Sequence, residues 1–193
     1  MKKLALAILL TISGAAWAGD GKNAVQVAYA LRDTVASQSE NPNRQGINLR
    51  YMRKLTDHIT WDLGEEFRTE KLNSDDGKST TRMETGLAYQ LPITHDISVY
   101  TRGGIGYKFT TTDDNTYYSV EPGVKFQVTQ PLNLRMTWRY RDSFNDKIND
   151  QTHTVRFGAE YALDKESVII ANIDRFYGDS EAIGYTVGYV HKF

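Results

Sequence analysis

The sequence predicts an all-β chain that closes into a transmembrane, antiparallel, up-and-down barrel of about ten strands, and three observations lead there. First, the last twelve residues alternate: Ile183, Tyr185, Val187, Tyr189, His191 and Phe193 share one parity, and Gly184, Thr186, Gly188 and Lys192 the other. Successive side chains of a strand point to opposite faces, so this segment has one apolar, aromatic face and one small or polar face. Second, tight polar breaks at 55–58, 91–96, 129–132 and 163–167 recur with centres about 36 residues apart, which leaves room for two spanning strands and one longer loop. Third, beyond residue 18 no apolar run approaches the roughly 20 residues that a spanning helix needs. A chain that crosses lipid without such helices must pair every backbone group in a closed sheet.

Taken in order, the strands read as 23–33, 45–54, 58–69, 79–90, 97–110, 116–128, 132–143, 151–162, 167–177 and 182–193. Looser, wetter segments around 37–44, 71–78, 111–115, 144–151 and 178–181 lie at the opposite end from the tight breaks, the asymmetry of a barrel with short turns on one side and longer loops on the other. The lipid-facing parity is carried by Val25, Val27, Tyr29 and Leu31, then Ile47, Leu49 and Tyr51, then Ile59, Trp61 and Leu63. It continues with Leu87 and Tyr89, Val120, Val124 and Phe126, Leu134, Met136, Trp138 and Tyr140, and Val155, Phe157 and Tyr161. Many of the aromatics fall near strand ends, at headgroup level. Ten is an even number, as single-chain bacterial barrels require; eight strands would expel two alternating segments from the wall, and twelve would need sequence that is not there. Pro122 sits mid-strand on the outward parity and cannot donate to the ladder, so a bulge is expected there. Glu65 and Arg175 also land outward, which predicts a bulge or a strand that continues above the membrane.

The chain begins with Lys2 and Lys3 ahead of an apolar run from Leu4 to Ile12, and Ala16-Trp17-Ala18 offers the small residues of a cleavage site. This is the pattern of a secretory leader over residues 1–18, with a single domain over 19–193. Removing the two lysines leaves 21 basic residues against 24 acidic ones, a net charge of about −3, and nothing basic enough for nucleic acid. Cysteine is absent, so disulfides and thiolate metal sites do not arise. The mean hydropathy of −0.52 is compatible with a barrel, which shows lipid only every second side chain.

The terminal alternation resembles the C-terminal assembly signal of bacterial outer-membrane β-barrels, with Tyr185, Tyr189 and Phe193 in the signal positions. The resemblance implies a Gram-negative outer-membrane location. It also implies outer-membrane lipid, lipopolysaccharide and the barrel assembly machinery as partners.

The inward parity is the informative one. It collects Arg32, Arg50, Lys54, Arg68, Arg82, Arg102, Lys108, Lys125, Arg135, Arg139, Arg141, Arg156 and Lys192 against Asp62, Glu66, Glu84, Glu121, Glu160 and Asp174. Most remaining acids sit at loop tips, at Asp75, Asp76, Asp113, Asp114, Asp146, Asp150, Asp179 and Glu181. Arg135, Arg139 and Arg141 share the lumen face of one strand, flanked by Arg156 and Glu160 on one side and Glu121 and Lys125 on the other. Two readings follow: a salt-bridged plug, since buried charges must be paired, or a wet, anion-attracting lumen, since so large an excess of cations needs water or an anion.

The Trp138-Arg-Tyr-Arg-Asp142 run, the charged inward faces and the terminal Phe193 resemble the oligogalacturonate-specific porin family, monomeric outer-membrane channels for acidic sugars that include a sialic-acid channel. By that resemblance Arg135, Arg139 and Arg141 would escort anionic sugars, and the protein would be a monomer. The likeness covers residues 130–193. The chain is shorter than the family norm and has ten predicted strands where the family has twelve, so the family's pore width does not carry over.

Other constellations are weaker. His58 and His95 lie in turns, His191 faces outward near the C-terminus, and no histidine pair shares a lumen-facing site, so no metal is expected. His153 is outward near the loop-side rim, while Ser143 and Glu160, the nearest partners for a hydrolase, have inward parity. Asp75-Asp76-Gly77 and Asp113-Asp114-Asn115 lack the spacing of a calcium loop. Gly103-Gly104-Ile-Gly106 lies inside a strand, where glycines let lumen side chains pack or the wall bend rather than cradle a phosphate. The expected function is a passive channel, without cofactor or catalytic step, for small anionic solutes such as acidic oligosaccharides. The expected anion-facing residues are Arg50, Arg82, Arg102, Lys125, Arg135, Arg139, Arg141 and Arg156, with Glu66, Glu84, Glu121 and Glu160 as lumen carboxylates. The rival reading is a non-conducting structural or adhesive barrel with an ionic core.

Overall fold

The computed structural model describes residues 22–34, 44–70, 79–110, 114–145, 148, 150–178 and 181–193. The leader at 1–18 and the loop acids Asp75, Asp76, Asp113, Asp146 and Asp179 lie outside them. Ten strands follow one another: β1 (Asn23–Thr34), β2 (Arg44–Lys54), β3 (Ile59–Glu70), β4 (Ser79–Pro92), β5 (Ile97–Thr110), β6 (Asn115–Gln127), β7 (Leu132–Ser143), β8 (Thr152–Ala162), β9 (Ser167–Gly178) and β10 (Ala182–Lys192). Each pairs antiparallel with its chain neighbours, and β1 pairs with β10 to close the barrel. The backbone seam is completed by Phe193 N donating to Asn23 O at 2.9 Å and Asn23 N donating to Phe193 O at 3.2 Å. Such closure is what a sheet in lipid requires, because an open edge would leave unpaired backbone groups.

The wall carries no register slip, and this corrects the bulges expected from sequence. On the β5 side Thr101 pairs with Pro122 in an unbroken ladder from Ile97↔Phe126 to Lys108↔Asn115. On the β7 side pairing stops at Val120↔Tyr140 and resumes at Gly123↔Thr137 in the same register. The missing proline donor therefore interrupts the ladder without inserting a residue. Glu65 likewise keeps its outward place opposite Leu49 and Met83 with no bulge. Arg175 keeps its outward place opposite Val155 near the loop end of β9 with no bulge, and its Nη2 donates to Glu181 Oε2 at 3.3 Å.

Parity sorts the two faces as expected. Val27, Ile47, Leu87, Ile105, Phe157 and Val187 are exposed on the outside, where lipid would cover them. Aromatic pairs mark both rims. Tyr51 and Trp61 meet edge to face at 5.9 Å near the turn end, and Tyr118 meets Phe144 at 5.2 Å near the loop end. Tyr189, His191 and Phe193 form a stacked outer ladder on β10 and the terminus, with centroids 6.4 and 6.1 Å apart. Tyr185 and Tyr189 of the expected assembly signal are outward and exposed.

A charge in the middle of this outer belt should be costly. Val187, 61% exposed at the centre of β10, is the sharpest position. Val187→Arg is expected to lower stability by about 2–4 kcal/mol in urea titrations of protein folded into phospholipid vesicles, while Val187→Ile stays near wild type. An unchanged midpoint for the arginine variant would mean that this face does not meet lipid.

Candidate functional site: the lumen

The lumen is built around Arg102 on β5. Its Nε donates to Asp62 Oδ2 at 2.7 Å and its Nη2 to Asp62 Oδ1 at 2.6 Å, a bidentate pair, while Nη1 donates to Glu84 Oε1. Asp62 lies two strands away on β3, and two glycines make the reach possible. Gly86 pairs with Asp62 on one side and Gly104 on the other, forming a row without side chains. A Cβ at Gly86 would lie 2.6 Å from Arg102 Nη2, and one at Gly104 would lie 2.9 Å from Nη1. The same device repeats above and below. Tyr117 lies over Gly106 and Tyr100 over Gly123, where added Cβ atoms would come within 2.5 Å of each ring. Gly103, by contrast, faces outward into open space.

The network extends from this point. Glu84 Oε2 accepts from Arg139 Nη2 at 2.5 Å, Glu84 Oε1 also accepts from Ser119 Oγ at 3.1 Å, and Arg139 Nε stands 3.7 Å from Glu121. Arg50 approaches Asp62 at 3.9 Å. Tyr100 and Thr137 share a hydroxyl hydrogen bond. Asp62, Glu84, Arg102, Ser119, Glu121 and Thr137 are all buried, so the β3–β7 side of the lumen is a packed ionic core.

The remaining site residues pair around it. Arg156 holds Asp174 through two bonds of 2.6 and 3.0 Å. Lys125 donates to Glu160 at 2.7 Å, and Arg135 approaches the same carboxylate at 3.5 Å. Arg82 and Arg68 converge on Glu66 Oε1 at 2.8 and 2.5 Å. Arg141 stands apart from these carboxylates: its Nη2 donates to Thr152 Oγ1 at 3.3 Å and its guanidinium lies 5.5 Å from the centre of the Tyr117 ring. Nε of Arg82, Arg135, Arg139 and Arg141 has no hydrogen-bond partner among the described residues. The three arginines read together on β7 thus divide: Arg139 is locked between two carboxylates, Arg135 shares one, and Arg141 has none within pairing distance among the described residues.

A cavity of about 440 Å³ runs beside the ionic core. It is bordered by residues of β1–β4 and β6–β10, including Arg50, Glu66, Arg82, Arg135, Arg139, Arg141, Arg156 and Glu160, but by none from β5. The open space therefore lies on the β10 side of the ring, across from Arg102. Residues that sequence reasoning passed over line it there: Met52, Val168, Ile170, Phe176 and Val190. Val168, Ile170 and Val190 join Ala28 in a buried apolar cluster on the lumen side. The signal was present in β9, whose start, Val168-Ile-Ile170, is apolar on both parities. Tyr117, only 1% exposed, was another omission.

The other candidates are not assembled into sites. His153 packs against Trp138 and Tyr140 at 5.7 and 5.1 Å on the outer face, whereas Ser143 Oγ donates to Thr116 O. Among the described residues no group of three or more His, Cys, Asp or Glu could hold a metal ion. Asp114 accepts from Thr110 N at 3.1 Å as a loop-closing contact.

One loop acid turns inward. Lys108 Nζ donates to Asp150 Oδ1 at 2.9 Å. Burial works against the charged form of Asp150, but Arg141 and Lys108 outweigh it and hold the carboxyl below the ordinary range. Because the folded value is depressed, the stabilisation is present above the unfolded value, about 3.9, and is lost as pH falls through the folded one. Asp150→Asn should accordingly lower the denaturation midpoint at pH 7, with the gap from wild type closing as pH drops below about 4. A gap independent of pH would remove the charge from this account.

Breaking the central pair should be far more costly than touching the edge of the cavity. Arg102→Met strands Asp62 and Glu84 in a buried site and is expected to cost about 3–5 kcal/mol, whereas Arg141→Gln should cost much less, both read from denaturant midpoints. Equal losses would mean that the two arginines are not in different environments.

The comparison with protein families agrees with the architecture. A protein-family model described as outer membrane protein beta-barrel domain matches residues 4–162. Among solved structures, the chain is similar to a KdgM porin in complex with disordered oligogalacturonate, at 12% identity and a TM-score of 0.48 over 88% of this chain and 99% of that one. It is similar to the NanC porin at 13% identity and a TM-score of 0.48, over 88% of this chain and 100% of that one. Neisserial surface protein A gives 9% identity and a TM-score of 0.46, over 89% and 96%. A comparison with curated proteins returns no match. The chain, a closed barrel of ten antiparallel strands, belongs to the outer membrane protein beta-barrel domain family.

Proposed function

We propose that this barrel is a passive outer-membrane channel for small anionic solutes, working as a monomer in outer-membrane lipid. The observation that carries the proposal is the cavity beside the ionic core, bordered by Arg82, Arg135, Arg139 and Arg141, each with an incomplete set of hydrogen bonds. Guanidiniums along a water-filled passage raise the local concentration of anions and lower their electrostatic barrier, while cations are repelled. By sequence parity thirteen basic residues face inward against six acidic ones, so the inward carboxylates do not cancel this field. Transport of this kind needs no cofactor and no bond-making step. Acidic sugars are one solute class it would serve, as the Trp138-to-Asp142 run suggests through its resemblance to the acidic-sugar porins.

A second reading is favoured by the Arg102 network: a structural barrel whose interior is closed by ion pairs. The two readings separate in planar bilayers. We expect the purified barrel to conduct in potassium chloride and, in a salt gradient, to show a reversal potential on the anion side. Arg141→Gln should move that potential toward cations without loss of fold. Absence of conductance would leave the structural reading in place, and cation preference in the wild type would overturn the anion-channel reading.

A further inference from the structure

We infer that the lumen cavity is a binding site for small carboxylates with a hydrocarbon body, aromatic or short-chain aliphatic acids, in preference to polyhydroxylated acids. The inference rests on the anion-channel reading of the same cavity and narrows its substrate class. The argument turns on what lies next to Arg135. Its side chain crosses β8 where Gly158 has none, a Cβ at that position falling 2.7 Å from Arg135 Nε, and its Nη2 donates to Asn172 Oδ1 on β9 at 2.9 Å. The next inward residue of β9 toward the turn end is Ile170, followed by Val168. Ile170 pairs with Gly188 and Val168 with Val190, so the apolar patch continues onto β10. Met52 packs against the same cluster from β2.

A cationic anchor thus stands at the edge of an aliphatic wall, and both border one cavity. Arg135 is incompletely neutralised: its carboxylate neighbour Glu160, at 3.5 Å, is held more closely by Lys125 at 2.7 Å. A carboxylate can therefore meet Arg135 with its hydrocarbon part on Ile170, Val168 and Val190, where burial of apolar surface is favourable. A sugar acid placed the same way would turn hydroxyls toward Ile170, Val168 and Val190, which neither donate nor accept, and hydroxyls without partners are disfavoured. The volume, about 440 Å³, is within the range of small-molecule sites, about 300–1,000 Å³.

The test is isothermal titration of the folded, detergent-solubilised barrel with benzoate, hexanoate and galacturonate at one ionic strength. We expect benzoate and hexanoate to bind several-fold more tightly than galacturonate. Ile170→Thr should weaken hexanoate about fourfold, the equivalent of one buried methylene, and leave the weaker galacturonate affinity unmoved. Val190→Thr provides the second test should the first variant not fold, judged by its gel mobility before and after heating. Galacturonate binding as tightly as benzoate, or hexanoate affinity unchanged in a folded variant, overturns the inference. Chloride conductance on the same preparation decides the channel reading separately: carboxylate preference without conductance supports the site and removes the channel, and conductance without preference removes the site and leaves the channel.

Discussion

The bidentate hold of Asp62 on Arg102 is the interaction from which the interior of this barrel takes its shape. A guanidinium that is 3% exposed needs full neutralisation, and Asp62 and Glu84 supply it from strands on the same side. Those carboxylates then fix the rest: Glu84 draws in Arg139 and Ser119, and Arg139 brings Glu121 into the group. With so much charge gathered against β3–β7, the remaining lumen is left to the β10 side, where small and aliphatic residues leave room. The ionic core and the cavity are two consequences of one placement.

Glycine makes that placement possible. A barrel of ten strands has a narrow interior, and inward side chains compete for it. Gly86, Gly104 and Gly158 give up their side chains so that Arg102 and Arg135 can lie along the wall and reach carboxylate or amide partners two strands away. The energetic gain is not the ion pairs alone, since burying charge is costly and hydrophobic replacements often do as well. What the pairs confer is position: they set which cations are locked and which border the open space.

Much of this was legible in the sequence. Strand number, strand limits to within two residues and the inward or outward parity all follow from period-two alternation, which the lipid outside and the charged lumen inside enforce. Pro122 shows where local rules fall short, because loss of one donor predicts a defect but not whether the chain answers with an inserted residue or a skipped rung. Pairing within the lumen was less legible still. Arg139 and Arg141 are neighbours on one face of one strand, yet Arg141 donates to Thr152, its direct partner on the next strand, whereas Arg139 reaches Glu84 three strands away, and parity encodes neither choice. The apolar stretch of β9 carries no alternation, so its inward face did not stand out against its outward one.

The central claim is that the lumen is sealed along β5 and open along β10, and cysteine accessibility tests it most directly because the chain has no cysteine of its own. Thr186 on β10 borders the cavity, while Ser119 on β6 is hydrogen-bonded to Glu84 inside the ionic core. In folded protein, Thr186→Cys should react readily with a small anionic thiol reagent added from the aqueous phase, and Ser119→Cys should react far more slowly. Equal rates at the two positions, or no reaction at Thr186→Cys, would contradict the account.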